Sequence, residues 1–359
     1  MNTQDFIPKS LENSIDKISF SWQIPSNIAL VKYWGKSEPQ IPKNASISFT
    51  LSESHTNTRI DFTKRTVEVP KFELYFEGQK KSEFKPKITK FFERILIYCP
   101  YLLDFEMVIH TENSFPHSSG IASSASGMSA IAMCLMSLEK TLCGSGMSDE
   151  FVCKKASFLA RLGSGSASRS IEGPLVVWGE HASIEGSSDL YGTRFPFKVH
   201  PIFENYQDTI LLVDKGEKQV SSTVGHNLMH NHPFAEKRFD QANENLKKIT
   251  TYLQKGAVDD FIHLVESEAL SLHAMMLTSD PYFILMKPNT LEIINAIWKY
   301  RNDTSSKLCF TLDAGANVHL LYPASEKDQV LSFVKEKLER FCQKKQYICD
   351  HVGLGTKKI

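Results

Sequence analysis

Apolar and polar residues alternate along ISFSWQI (18–24), ASISFTL (45–51), TRIDFT (58–63) and FELYF (72–76). A period of two lays the apolar side chains on one face of an extended backbone, so four half-buried strands are predicted. The period lengthens in KPKITKFFERILIYCPYLL, and residues 85–103 read as a helix. FEMVIHTE (105–112) returns to a strand and is followed by a helix over 123–142. Asp149 is the expected cap of the next helix, DEFVCKKASFLARLG, which Gly163 ends. PLVVWGEHA (174–182) is a further strand, and turn formers crowd 183–203. Beyond them TILLVDK (209–215) reads as a strand, and helices are expected at 234–254, 257–276 and 288–301. KLCFTLDAGANVHLLYP (307–323) reads as two strands around a Gly turn; a charged helix over 325–344 and a short strand close the chain. This order predicts an α+β fold of two domains, 1–200 and 201–359.

Composition narrows the function without fixing it. At 359 residues the chain has room for two cores. Lys+Arg and Asp+Glu both count 41, so the formal net charge is zero and the basic footprint of a nucleic-acid binder is missing. The seven cysteines are an odd number without a C-x-x-C pair, as expected of reduced thiols in the cytoplasm. No basic-then-apolar leader opens the sequence, and no run reaches the roughly 18 apolar residues of a membrane span. A cytoplasmic protein is therefore expected, with neither nucleic acid nor membrane as partner.

Five stretches carry candidate chemistry. FPHSSGIASSASG (115–127) places Gly, Ser and Ala where a helix should begin. Glycine lets backbone approach a ligand, and a helix N-terminus offers unpaired N–H groups and a positive dipole end. That combination suits phosphate, though a serine-rich helix cap explains the same residues. No G-x-x-x-x-G-K-[ST] loop occurs. PSNIALVKYWGK (25–36) ends an apolar strand in Lys32, Tyr33, Trp34, Gly35 and Lys36, which suits an anionic small molecule or simply solvated charge above a core. ARLGSGSASRS (160–170) reads as a flexible, donor-rich loop around Arg169, whose planar fork matches carboxylate or phosphate. In TLDAGANVH (311–319), Asp313 is either a turn former or a carboxylate held at a strand end as a base. QVSSTVGHNLMHNHPF (219–234) adds Ser221, Ser222 and Thr223 as phosphate donors; His226, His230 and His232 lack the Cys or carboxylate company of a metal site.

In order and combination these stretches resemble the GHMP kinase superfamily. Its phosphate loop P-x-x-x-G-L-x-S-S-A stands here as Pro116 to Ala125, with Ile121 for Leu. Within the superfamily the chain resembles the diphosphomevalonate decarboxylase family. That family carries N-I-A-x-x-K-Y-W-G-K, N-x-S-x-S-x-T-L, G-S-G-S-A-x-R-S and D-A-G-x-N, found here at Asn27–Lys36, Asn44–Leu51, Gly163–Ser170 and Asp313–Asn317. The resemblance implies a two-domain GHMP kinase fold with the active site between the domains. It also implies ATP and Mg²⁺ as cofactors and mevalonate diphosphate as substrate. ATP would phosphorylate the 3-hydroxyl, and loss of that phosphate and of CO₂ would give isopentenyl diphosphate. A homodimer is implied as well.

The resemblance also distributes roles. Asp313, Arg169 and Lys36 become the catalytic residues. Tyr33, Trp34, Gly35, Lys36, Ser164, Gly165, Ser166, Arg169, Ser222 and Thr223 become the substrate site. Pro116, Ser118, Ser119, Gly120, Ala122, Ser123, Ser124 and Ser126 cradle ATP, with Ser124 as a metal ligand. Two departures bear on the substrate's diphosphate. Many bacterial relatives read S-S-R-x-G-M where this chain has Ser221-Ser222-Thr223-Val224-Gly225-His226. Many also carry Arg after an N-G turn, where this chain has Glu77-Gly78-Gln79-Lys80. Lys80 or His226 is expected to compensate; otherwise a monophosphate substrate or a different 3-hydroxy acid becomes the reading. The rival activities are a phosphomevalonate decarboxylase and a mevalonate 3-kinase. A non-catalytic sensor of the same fold would have no need of Asp313.

Overall fold

The computed structural model describes residues 1–11, 14–116, 121, 123–216 and 222–359. Among them the strands form an eight-stranded sheet, a four-stranded sheet and a small ribbon of 36–37 with 41–42. The large sheet is built on two long antiparallel strands, Lys17–Val31 and Ser46–Lys64. The segments expected at 45–51 and 58–63 are therefore two ends of one strand. Its first part is buried on both faces and its second alternates, which is why a single period does not run through it. Phe105–Asn113 pairs with the second part, and Lys71–Phe76 pairs parallel to Phe105–Asn113. Leu175–Trp178 pairs with the first part, and Lys357–Lys358 returns from the chain's far end to pair with Trp22 and Gln23.

Helices α1 (Lys85–Ile95), α2 (Ser123–Leu142) and α3 (Asp149–Gly163) cover one face of this sheet. Phe62, Met107, Phe91, Leu135 and Phe158 fill the layer between them. α1 is shorter than its apolar run because Pro100 opens a 3-10 turn and disfavours helix in the residue before it. The cap of α3 is Ser148, not Asp149: the Ser148 hydroxyl accepts the Phe151 N–H at 3.2 Å, and Asp149 is the first helical residue.

The second sheet orders Cys309–Thr311, Val318–Tyr322, Gln207–Leu211 and Tyr347–His351, all antiparallel. The strands expected at 174–182 and 209–215 are shorter than their apolar runs. α4 (Ser222–Asn227), α5 (Ala235–Lys255), α6 (Val258–Leu277) and α7 (Pro288–Thr304) precede that sheet's closing strands. α8 (Lys327–Phe333) runs on into a π-helical stretch, Val334–Leu338, and a 3-10 turn, Glu339–Phe341, so the helix expected over 325–344 is helical to 341 with a changed winding.

One apolar cluster spans both sheets: Ile28, Leu30, Ile47 and Phe49 pack with Ile210, Leu246, Ile249 and Phe261. Polar contacts reinforce it. The Asp350 carboxylate accepts the N–H groups of Ser52, Glu53 and Ser54 at 2.7–2.9 Å. Gly353 donates to the Thr50 carbonyl and accepts the Thr50 hydroxyl. The cleft between the sheets is thus held along one side.

Candidate active site

The strand Lys17–Val31 ends where it meets α6, and the next residue is the first chemical one. Lys32 is buried, and its ammonium lies 3.1 Å from Oδ1 of Asp313. Asp313 sits in the loop between Cys309–Thr311 and Val318–Tyr322, so this pair bridges the two sheets. Burial pulls the Lys32 pKa down, and the Asp313 carboxylate opposes it. Around the pair, the Lys32 N–H donates to Glu268 Oε2 at 2.8 Å, and Asn44 donates to the Lys32 carbonyl at 3.0 Å. Glu268 is itself gripped by Arg238 and Asn245.

Residues 165–170 form a buried 3-10 turn, not the flexible loop that their Gly and Ser content suggests. Asn27 holds the turn through the Ser166 carbonyl and the Ser170 hydroxyl. At its end Arg169 is buried, with Nε 2.6 Å from Ser48 Oγ and a terminal nitrogen 2.6 Å from Ser46 Oγ. The two serines are two apart on one strand, so both hydroxyls face the guanidinium. Burial lowers the Arg169 pKa to about 10, opposed by Asp313 and Tyr33, and leaves the group charged at neutral pH. Gly165 cannot be replaced cheaply: a Cβ there would lie 2.8 Å from the Trp178 ring and 2.9 Å from the Tyr33 hydroxyl.

Tyr33 packs between Trp178 and His226, with ring centroids 4.6 and 4.2 Å away. Its hydroxyl is buried without a hydrogen-bond partner, and burial pushes its pKa up, so the phenol stays neutral. Lys36 reaches Gln40 Oε1 at 2.6 Å and stands 4.0 Å from Glu38, which also meets Arg94 of α1 at 3.3 Å. Burial lowers the Lys36 pKa; Glu38 opposes this, while Arg94 and Lys90 add to it. Ser164 ends α3, its N–H bonded to the Ala160 carbonyl.

Tyr33, Arg169 and Asp313 thus stand close enough to influence one another's ionisation, Lys36 acts on the His226 ring beside Tyr33, and Ser164, Gly165 and Ser166 lead the chain into Arg169. Trp34 packs into an apolar cluster with Met229, Phe239 and Met276, and its ring also lies 4.6 Å from the His226 imidazole that Tyr33 packs against. Gly35 adopts φ +100° beneath Phe239 and donates its N–H to His226 Nδ1 at 3.0 Å. His226 is a buried neutral imidazole, its pKa pushed down to about 3 by burial and then by Lys36 and Arg169. It supplies no charge to replace the missing cation. Lys80 does not either: it is exposed and paired with Glu73 on a sheet edge.

In the phosphate loop, Ser118, Ser119, Gly120 and Ala122 lie outside the described residues, as does Ser221; Pro116 leads into them. Ser222 and Thr223 open α4. Ser123 Oγ is buried without a hydrogen-bond partner at the first residue of α2, which fits a phosphate or metal contact. Ser124 fits a metal poorly, since the Lys87 ammonium already holds its hydroxyl at 2.6 Å. Ser126 is turned away: its hydroxyl bonds Thr56 at 2.6 Å inside the sheet–helix layer. Among the described residues no three His, Cys, Asp or Glu side chains form a metal group, and no helix is long and apolar enough to cross a membrane.

Comparison with known proteins agrees with this geometry. Residues 24–189 match the diphosphomevalonate decarboxylase-like N-terminal domain, and residues 209–355 the mevalonate 5-diphosphate decarboxylase C-terminal domain. The diphosphomevalonate decarboxylase of Candida albicans is 27% identical over 329 residues, covering 88% of this chain and 87% of its own. That of Saccharomyces cerevisiae is 28% identical over 333 residues, covering 86% and 79%. The mevalonate diphosphate decarboxylase structure from Staphylococcus aureus superposes with a TM-score of 0.80 at 27% identity, covering 96% of this chain and 98% of that one. The complex of MDDEF with MVAPP, AMPPCP and magnesium also gives 0.80, at 25% identity and 96% and 99% coverage. Two domain matches in tandem, with the bridging lysine–aspartate pair and the buried arginine between them, place this chain in the diphosphomevalonate decarboxylase family, with its two-domain GHMP kinase fold.

Proposed function

We propose that this chain catalyses the ATP-dependent decarboxylation of (R)-5-diphosphomevalonate to isopentenyl diphosphate, releasing ADP, phosphate and CO₂. The observation that carries the reading is the Asp313 carboxylate held by Lys32 at the end of one sheet, beside a buried Arg169 from the other half of the cleft. Among the described residues, the partnerless hydroxyls of Tyr33 and Ser123 fit anionic oxygens of the ligands, with Ser123 offered to Mg²⁺ or phosphate. When bound, ATP supplies the phosphoryl group and Mg²⁺ spreads its charge.

The chain's own residues then divide the work. Asp313 orients the 3-hydroxyl and takes its proton as the O–P bond forms. The Lys32 ammonium 3.1 Å away holds the carboxylate in place, so that it aligns a crowded tertiary alcohol for attack. Arg169 gives two of its five N–H groups to Ser46 and Ser48, which locks the plane of the fork; the rest of the fork holds the substrate carboxylate. When the C3–O bond breaks, phosphate leaves with the electron pair and C3 becomes electron-poor. The C1–C2 bond then supplies its pair to form the C2=C3 alkene, and C1 departs as CO₂. Lys36, on which Lys90 and Arg94 act against Glu38, supports a diphosphate over a monophosphate.

The test offers purified protein, ATP and Mg²⁺ with mevalonate, its 5-phosphate or its 5-diphosphate, following ADP and CO₂. CO₂ from the diphosphate supports the reading. CO₂ from the monophosphate alone would make the chain a phosphomevalonate decarboxylase, and ADP without CO₂ a 3-kinase. We place the domain boundary near residue 200. We further infer a cytoplasmic homodimer. Seven free cysteines suit a reducing compartment, and the family resemblance suggests the dimer, which sedimentation would check.

A further inference from the structure

We infer that His273 is a positioning residue: from α6 its ring fixes the backbone of Asp313 and so sets where the catalytic carboxylate points. This rests on the decarboxylase reading of the Lys32–Asp313 pair. His273 is buried on α6, and its Nε2 lies 3.1 Å from the Asp313 carbonyl. A carbonyl only accepts, so the ring is the Nε2–H tautomer and donates. Burial keeps the ring neutral, lowering the His273 pKa to about 4 against the opposing pull of the Asp313 carbonyl.

The wider arrangement gives the contact its meaning. The Asp313 loop is tied at its far side by Thr290 to the Ala316 carbonyl and by Asn317 to the Asp214 N–H. Within the loop, Gly315 donates to the Asp313 carbonyl at 2.7 Å. His273 ties Asp313 itself to a rigid element, the helix α6. Five residues earlier on the same helix, Glu268 accepts the backbone N–H of Lys32 at 2.8 Å. α6 therefore grips the main chain on both sides of the ion pair. It fixes the separation of two groups that lie 281 residues apart in sequence.

The test uses two neutral, polar variants of the full chain that differ in where they present an amide donor. The amide nitrogen of Gln reaches the place of Nε2; that of Asn falls short, near Nδ1. His273→Gln is expected to keep kcat within about threefold. His273→Asn should lower kcat roughly ten- to hundredfold, the scale of a misplaced catalytic group, with KM for both substrates within about twofold. Thermal midpoints of the two variants should agree. If both variants keep wild-type kcat, or if both lose kcat in step with a lowered midpoint, the residue only packs and the inference fails. Parallel rises in KM would overturn it too, because they would place His273 in substrate binding. Absence of CO₂ release by the wild-type protein would instead sink the functional reading on which the inference rests.

Discussion

Asp313→Asn separates the chemistry of the site from its electrostatics. The amide keeps the shape of the side chain and leaves the backbone contacts of residue 313 intact, but it removes the proton acceptor and half of an ion pair. Loss of a positioned base costs about 10²–10⁴ in rate, so kcat for CO₂ release should fall by that factor. ATP binding should stay nearly unchanged. Stability should respond separately. Removing one partner from a buried pair costs about 3–5 kcal/mol; Asp313 is 27% exposed and Glu268 also acts on the ammonium, so ~2 kcal/mol is expected. At about 2 °C per kcal/mol for a chain of this size, that is a melting shift of ~4 °C. The pH dependence follows from the sign of the shift on Lys32. Its folded pKa lies below the ordinary 10.5, so the unfolded chain binds the proton more readily and stability rises with pH up to that value. Asp313 opposes this shift, and its loss deepens it. The gap between variant and wild type should be widest at neutral pH and narrow toward pH 10. Coupled ADP and CO₂ assays with melts at pH 7 and 10 read all three effects. CO₂ release within tenfold of wild type, loss of ATP binding, or a gap that widens with pH would refute the reasoning.

Arg169→Lys keeps the charge but cannot bond Ser46 and Ser48 together. Steady-state kinetics should show kcat/KM for the diphosphate down roughly 10- to 100-fold, the worth of one charged hydrogen bond. Ser123→Ala should raise the KM for ATP about tenfold, whereas Ser124→Ala should change it less than twofold, because only Ser123 has a buried hydroxyl in need of a partner. His226 has a folded pKa of about 3 against 6.5, so the unfolded chain takes up its proton first and stability falls as pH drops through that window. His226→Met should remove about 3 kcal/mol of the loss between pH 7 and 4.5, read from urea midpoints. An equally steep acid limb in the variant would argue that the ring is solvated.

What the sequence made legible was local. KYWGK, GSGSASRS and DAGAN each place their candidate chemistry within a few residues, and the folded chain brings Tyr33, Arg169 and Asp313 within reach of one another's charge. Lys32 lies in the same motif as Lys36, yet nothing in the sequence joins it to a residue 281 positions away. Ser46 and Ser48 did leave a trace: hydroxyls two apart on a strand share a face, which is the signal for a common partner. Glu268 and His273 left none, since each is one polar residue in a helix whose buried apolar positions dominate the pattern. Ser126 stands beside the candidate phosphate-loop residues in sequence, while its hydroxyl bonds Thr56 inside the packed layer.

The Asp350 carboxylate clasps three consecutive amides of the long strand, and this has a bearing on selectivity. A clasp of that kind makes the cleft a calliper with its jaws set, because spreading the sheets would strip a buried anion of three donors at once. A homologous acid one methylene longer would gain no room from a yielding hinge and would have to displace the walls themselves. Redesign toward bulkier acids should therefore begin at Tyr33, whose ring rests on the buried Trp178, with the clasp left untouched.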